Sequence, residues 1–170
     1  MKIKTLSLIL LTIFLYYGSG YAAWIGDKAP SFSLKRLDNN GSLSLKEFEG
    51  KILFIDFWAT WCGPCKKELP ALDSLMKEYN DSLVILAINL DKKKGKIKKF
   101  LEKYPVDLPV LLDPEGNIVS KYGARAMPTS FIIDGNGTIK FVHLGFSKKD
   151  TDKWRKEIDS ILSENLAKKQ

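Results

Sequence analysis

The sequence has few of the side chains that hold metal ions or cross-link a small fold. Its 170 residues include only two cysteines, Cys62 and Cys65, and a single histidine, His143. A disulfide framework uses several cysteines spread along the chain, and a structural metal site uses four ligands, most often cysteine or histidine. We therefore expect neither a disulfide framework nor a metal site, and we expect the protein to work without a cofactor.

Charge of one sign is only mildly in excess. The formal net charge is +7, and two of the basic residues, Lys2 and Lys4, lie at the extreme N-terminus. A nucleic-acid-binding protein would show a basic stripe with interleaved aromatic side chains. The sequence has no such stripe, so we expect no nucleic-acid partner. The lysines between residues 92 and 99 are expected to form a solvated helix face, which could attract an acidic partner.

No apolar run is long enough to span a membrane comfortably. Residues 6–17 are apolar apart from two hydroxyl side chains, whereas a spanning helix needs about 20 apolar residues. Two lysines precede this run, and small residues that end in Ala22 follow it. The pattern predicts a signal peptide over residues 1–22, cleaved after Ala22, with a retained anchor as the alternative. The remaining residues 23–170 are then one domain without a membrane span.

Periodicity predicts an α/β fold in which strands alternate with helices. An N-terminal hairpin strand is expected around Phe32–Leu34. Further strands are expected at Ile52–Trp58, Leu83–Asn89, Val110–Leu112, Ser130–Ile133 and Thr138–Leu144. Helices are expected at about 62–79, 97–104 and 149–166. This order predicts a mixed sheet with helices on both faces. His143 alternates with apolar neighbours in the last strand and is expected on the surface of the sheet.

The spacing of Cys62 and Cys65 suits dithiol chemistry. A helix that begins near Cys62 would place Cys65 one turn further on, with the Cα atoms about 5 Å apart, within reach of a disulfide. Pro64 would lie in the first turn, where its missing N–H costs nothing. The helix N-terminus favours a thiolate at Cys62, so Cys62 should attack a substrate disulfide and Cys65 should resolve the mixed disulfide. The alternatives are a structural bridge or half of a metal site.

Two carboxylates lie close to the cysteines in the sequence. Asp56 interrupts the apolar strand six residues before Cys62, where burial would raise its pKa. It could accept a proton from Cys65, unless that edge of the strand is open to solvent. Glu68 follows Cys65 by three residues, on the same helix face, and could exchange protons with it or bind a partner. An ordinary solvated glutamate explains Glu68 almost as well.

The segment Met127–Thr129 stands immediately before a predicted strand. A cis peptide bond at Pro128 would bring the Met127 backbone beside the cysteines. Base rates favour a trans bond, because only about 5–6% of such bonds are cis in folded proteins.

The segment Phe57–Pro70 resembles the thioredoxin superfamily, and more narrowly the TlpA/ResA-type thiol–disulfide oxidoreductases of the bacterial cell envelope. The resemblance extends upstream through Gly26–Leu34 and downstream through Met127–Asp134, and so covers most of the chain. It implies a thioredoxin fold with an inserted strand and helix near residues 105–123. It also implies that Pro128 is the cis proline opposite the disulfide.

The resemblance also bears on the other site residues. It gives Glu68 the place of a carboxylate near the active site, and it leaves Asp56 as a departure, because many TlpA-type members have Asn there. The residues expected to be catalytic are Cys62, Cys65, Asp56, Glu68 and Pro128. The residues expected to contact the substrate are Trp61, Gly63, Pro64, Met127 and Thr129.

The expected activity is reduction of protein disulfides, which in this family includes those of apocytochrome c. The resemblance implies a location in the periplasm or at the extracytoplasmic face of the envelope, a disulfide-bearing protein substrate and a membrane electron donor. We expect a monomer. One rival is a peroxidase of the same fold, whose Pro and Thr signature positions hold Ile55 and Ala59 here. Another is a copper carrier, which would use a CxxxC pair with a histidine.

Overall fold

The computed structural model describes residues 23–167. The predicted signal peptide, residues 1–22, lies outside the described residues, as does the end of the chain after Ala167. Within the described range, no helix combines the length and the apolar character needed to cross a membrane.

The centre of the fold is a mixed sheet that follows the predicted strand order. Its strands in the described part of the chain lie in the order β5-β4-β3-β6-β7. Strands β3, β4 and β5 are parallel, β6 is antiparallel to β3, and β7 is antiparallel to β6. A separate antiparallel hairpin precedes them. The strand bounds are β1 Ser33–Lys35, β2 Ser42–Ser44, β3 Ile52–Trp58, β4 Leu83–Asn89, β5 Val110–Leu112, β6 Thr129–Ile133 and β7 Ile139–Leu144.

Helices cover both faces of this sheet. Helices α1 (Cys65–Tyr79), α2 (Lys94–Lys103) and α4 (Asp150–Ala167) pack their apolar sides into one core cluster. Helix α3 (Asn117–Tyr122) packs on the opposite face with the N-terminal segment. The expected thioredoxin-type architecture is confirmed, including the hairpin and the inserted strand and helix, which are β5 and α3.

The two central strands explain how the sheet separates two cores. Strand β3 is buried at every position, and β4 at nearly every one, as expected for apolar parallel strands covered on both sides. Side chains alternate along a strand. Phe54 and Trp58 accordingly join the core under α1, whereas Leu53 and Phe57 join the core under α3. Asp56, which lies between Phe54 and Trp58, must face the α1 side.

The expectation for His143 was wrong. The side chain is only 7% exposed, because α4 covers the face of β7 on which it lies. Its ring contacts Trp154 of α4, with the centroids 6.1 Å apart. Sequence alternation fixes which side of a strand a residue faces, but not which element of the chain covers that side.

Candidate active site

The cysteine pair lies where β3 gives way to α1. The Cys62 N–H donates to the carbonyl of Ala59, at 3.0 Å, and so belongs to the preceding turn. The first carbonyl to accept an α-helical bond, from the N–H four residues on, is that of Pro64, from Glu68 at 3.2 Å. The helix therefore begins at Cys65, three residues later than expected, and Pro64 is its N-cap.

The structure joins Cys62 and Cys65 in a disulfide, with their Cα atoms 5.5 Å apart, close to the expected spacing. The backbone N–H of Cys65 donates to Cys62 Sγ at 3.3 Å. A free N–H at a helix N-terminus stabilises negative charge. Although the helix begins later than expected, its first N–H still reaches the Cys62 sulfur. The predicted stabilisation of a Cys62 thiolate by the helix N-terminus is therefore still expected.

The disulfide lies just beneath the surface. Cys62 is 3% exposed and Cys65 is fully buried, whereas the neighbouring Trp61 is 71% exposed. Gly63 and Pro64 are also exposed. A substrate can therefore reach the site along the side of Cys62, and Cys65 stays shielded from it.

The loop before Cys62 is tied to β4 by a contact that the sequence did not reveal. The Asp91 carboxylate accepts hydrogen bonds from the Thr60 N–H, at 2.7 Å, and from the Thr60 hydroxyl, at 2.8 Å. Asn89 fixes this carboxylate through its side-chain amide at 3.2 Å and accepts from the Asp91 N–H at 2.8 Å. These bonds hold the turn that presents Cys62.

The peptide bond between Met127 and Pro128 is cis, as the resemblance implied. Strand β6 starts at Thr129 and runs antiparallel to β3, with Thr129 paired to Phe57. The start of β6 and the end of β3 therefore meet at the edge of the sheet from which the cysteine loop departs. Met127 packs against the core cluster that contains both cysteines. The Pro128 carbonyl accepts from the Gly145 N–H at 2.8 Å.

Two fully buried carboxyls lie on the α1 side of the sheet. Asp56 and Glu68 are both 0% exposed, and none of their four oxygens has a hydrogen-bond partner among the described residues. Burial raises the pKa of Asp56. Burial, with the negative charges of Asp56 and Asp150, raises the pKa of Glu68. The solvent-exposed alternative is therefore wrong for both residues, and both carboxyls favour the protonated form.

The described part of the chain has no group of three or more His, Cys, Asp and Glu side chains placed to hold a metal ion.

Comparison with known proteins matches this geometry to one family. A model of the AhpC/TSA family matches residues 25–142. The thiol-disulfide oxidoreductase ResA of Bacillus cereus (strain ATCC 10987 / NRS 248) is 37% identical over 125 residues, which cover 73% of this chain and 72% of the relative. The chain belongs to the AhpC/TSA family. Within that family it is a ResA-like thiol–disulfide oxidoreductase, so its substrates are proteins.

Other relatives support the same placement of this ResA-like chain. The thioredoxin-like protein YneN of Bacillus subtilis (strain 168) is 37% identical over 137 residues, 79% of each chain. A crystal structure from Chlorobium tepidum, provisionally named thiol:disulfide interchange protein DsbE, has a TM-score of 0.78 at 37% identity and covers 82% of this chain and 99% of its own. The pneumococcal exposed lipoprotein thioredoxin (Etrx1) of Streptococcus pneumoniae strain TIGR4 has a TM-score of 0.63 at 33% identity, with 74% and 97% covered.

The structure thus gathers most of the residues singled out in the ResA-like sequence at one edge of the sheet. Trp61 is exposed there, Cys62 lies just beneath the surface and Met127 is half-buried, whereas Cys65, Pro128 and Thr129 are buried. Asp56 and Glu68 are buried in the core on the α1 side. Sequence reasoning missed Asp91, although an aspartate just after a buried strand, at the edge where the cysteines lie, was an available signal.

Proposed function

We propose that Cys62 and Cys65 are the redox centre of this oxidoreductase, and that it reduces disulfides of proteins outside the cytoplasm. The observation that carries this proposal is the bonded pair at the N-terminus of α1, with the Cys65 N–H directed at Cys62 Sγ at 3.3 Å. A helix N-terminus lowers the pKa of a thiol there, and the thiolate is the nucleophile.

The proposed reaction is a pair of exchanges. In the reduced protein, the Cys62 thiolate attacks one sulfur of the substrate disulfide, and the other substrate sulfur leaves as a thiolate that takes a proton from water. Cys65 then loses its proton and attacks Cys62 Sγ, which releases the second substrate sulfur. Two electrons have passed to the substrate, and the Cys62–Cys65 disulfide has formed.

Asp56 is proposed to accept the Cys65 proton during the second exchange, with Glu68 sharing this task. Both carboxyls face the α1 side, and both have a raised pKa because they are buried. A carboxyl with a pKa near the working pH can both give and take a proton. After the disulfide forms, burial favours the protonated acid, so that a proton is ready for Cys65 when a donor reduces the pair again.

The exposed surface around Cys62 is proposed to bind the substrate. Trp61 offers a large apolar surface beside the nucleophile, and Gly63 and Pro64 are exposed next to it. Met127 and Thr129 flank Pro128 on the opposing segment. Substrate is expected to pass between these two segments.

Export, cleavage after Ala22 and a periplasmic or other extracytoplasmic location are also proposals. They rest on the pattern of residues 1–22, and the similar pneumococcal protein is an exposed lipoprotein. An oxidising compartment requires an electron donor, and a membrane protein that passes electrons from the cytoplasm fits this need. The family resemblance implies apocytochrome c or another disulfide-bearing envelope protein as the substrate, and the protein is proposed to act as a monomer.

A trapping experiment tests the proposed function. The Cys65→Ser variant cannot resolve a mixed disulfide, so in an envelope fraction it should accumulate adducts that dithiothreitol releases, and mass spectrometry identifies the partners. The Cys62→Ser variant is the matched control and should trap few. Equal trapping by both variants would contradict the roles of the cysteines, and rapid peroxide consumption by the wild type would favour a peroxidase instead.

A further inference from the structure

A row of polar side chains leads from Asp56 toward the surface under α4. Asp56 of β3 pairs with Ser130 of β6, and Ser130 pairs with His143 of β7. Residues paired directly across neighbouring strands point to the same face of a sheet, with their Cβ atoms about 4.5–5.5 Å apart. All three side chains therefore face the α1 and α4 side, in a layer whose other members are mostly apolar.

The outer half of this row is hydrogen-bonded. Ser130 Oγ lies 3.4 Å from His143 Nδ1, and His143 Nε2 lies 2.8 Å from Glu157 Oε2. The Glu157 side chain is 12% exposed, and its other oxygen lies 3.7 Å from Nζ of Lys153, which is 59% exposed. The row thus reaches solvent at α4.

The inner end of the row is the carboxyl of Asp56, which needs a route by which to exchange protons with solvent. Asp56 is fully buried on the α1 side of the sheet, and its oxygens have no hydrogen-bond partner among the described residues. Burial favours the protonated form of Asp56, so the carboxyl must lose its own proton before it can take the one on Cys65, as proposed above. The route past the cysteines is closed while a substrate is bound there.

We propose that Ser130 and His143 conduct protons between the buried Asp56 carboxyl and Glu157 at the surface. This proposal rests on the proposed role of Asp56. It assigns a positioning and relay role to the one histidine of the chain. In this role His143 acts through Asp56 and does not contact the cysteines or the substrate.

The proton balance is simple. The Ser130 hydroxyl rotates toward Asp56 and accepts its proton, while the hydroxyl proton passes to His143 Nδ1. The proton on His143 Nε2 passes to Glu157, which releases it to water. Asp56 becomes a carboxylate and one proton reaches solvent. The Ser130 hydroxyl then rotates back, and the imidazole returns to its first tautomer by giving its Nδ1 proton to water and taking one from water at Nε2. No oxidant or reductant is involved.

Burial keeps His143 in the neutral form that a relay needs, against two of the three charged groups around it. Burial lowers the pKa of His143, and Lys153 of α4 acts in the same direction. Glu157 and Asp150 of the same helix oppose this shift. A neutral imidazole can donate from one nitrogen and accept at the other, which suits a chain with a hydroxyl on one side and a carboxylate on the other.

The test follows the two exchanges separately by stopped flow. Reduced protein is mixed with Ellman's reagent, which releases one thionitrobenzoate when Cys62 attacks and a second when Cys65 resolves the adduct. The variants are His143→Gln, and Ser130→Ala as a smaller change in case His143→Gln folds poorly. The matched control is Lys140→Gln, which removes a different β7-to-α4 contact, the 2.8 Å ion pair with Glu164.

The route predicts an unchanged first phase and a second phase slowed about tenfold in both relay variants, with altered pH and solvent-isotope dependence. This loss is smaller than the roughly 10²–10⁴-fold typical of an essential acid–base group, because water can still reach Asp56 slowly. Lys140→Gln should match the wild type. If Asp56→Asn slows the second phase and both relay variants do not, the route is wrong. If Asp56→Asn has no effect, the proposed role of Asp56 fails, and the route fails with it.

Discussion

Asp91 holds Thr60 by two hydrogen bonds, one from the Thr60 N–H at 2.7 Å and one from its hydroxyl at 2.8 Å. Through this pair, the end of β4 fixes the turn that leads from β3 to Cys62. Hydrogen bonds to a charged acceptor are stronger than neutral ones. The position of the nucleophilic sulfur therefore depends on a residue just after the neighbouring strand.

The first prediction concerns this anchor. Asp91→Ala should lower the free energy of unfolding by about 1–3 kcal/mol, because it leaves part-buried donors on Thr60 unpaired. Urea unfolding of the oxidised protein at neutral pH measures the change. Asp107→Ala is the control, since it removes a surface contact with Lys77 and should cost about 0–1 kcal/mol. Equal losses in the two variants would show that Asp91 is not an anchor.

The strands and helices could be predicted from the sequence because their signals are local. The apolar run of β3, the turn before β7 and the heptad-like spacing in α4 each specify one element. The family resemblance supplied the cis bond at Pro128, which base rates alone would have placed in trans. The helix start was placed too early, because the bond from Cys62 to Ala59 depends on a turn that the pattern of apolar residues does not show.

The rest of the site depends on contacts between distant segments. The sequence could not decide whether Glu68 was buried, since its helix face alone does not show what covers it. It placed His143 on the surface for the same reason. The pairing of Thr60 with Asp91 joins residues 31 positions apart. The chemical roles of these residues remain predictions.

The second prediction is a pH-dependent gain of stability in Asp56→Asn. Burial raises the pKa of Asp56 in the folded state, whereas the unfolded value is about 3.9. Between these two values the folded state binds more protons than the unfolded state, so wild-type stability falls as pH rises, by up to about 1.4 kcal/mol per pH unit for one carboxyl. The variant lacks this slope.

Urea unfolding of the oxidised proteins at a series of pH values measures this effect. The advantage of Asp56→Asn should grow from acid pH until the raised pKa of Asp56 is passed, and then stay constant. Asp107→Asn, at an exposed site, should track the wild type. Parallel curves for Asp56→Asn and the wild type would mean that Asp56 is not protonated in the folded state.

The third prediction concerns Glu68. Glu68→Gln should slow the reduction of a disulfide-bonded peptide, because a carboxyl that shares the Cys65 proton is lost. The double variant with Asp56→Asn should lose at least about 10²-fold, since both proton acceptors are then absent. Glu78→Gln, on the same helix as Glu68, breaks a surface contact with Arg155 of α4 and should keep its rate. An unchanged rate in the double variant across the pH range would show that neither carboxyl handles protons.

The fourth prediction is the direction of electron flow. The Gly-Pro dipeptide between the cysteines is that of thioredoxin, whose potential is about −270 mV, so the Cys62–Cys65 pair should lie well below about −180 mV. A negatively charged Asp56 would repel a nearby thiolate and lower the reduction potential of the cysteine pair further. Because burial disfavours that charge, we expect this effect only at alkaline pH. Equilibration with dithiothreitol or glutathione buffers gives the value. A potential above about −180 mV would indicate an oxidase or isomerase.

The most direct test of the account is the identity of the reactive thiolate. The reduced protein is treated briefly with iodoacetamide near neutral pH, digested and mapped by mass spectrometry. Label is expected on Cys62 almost alone, because Cys62 lies just beneath the surface, next to exposed residues and under the first N–H of α1, whereas Cys65 is fully buried. Preferential labelling of Cys65, or equal labelling of both, would contradict the assignment of Cys62 as the nucleophile.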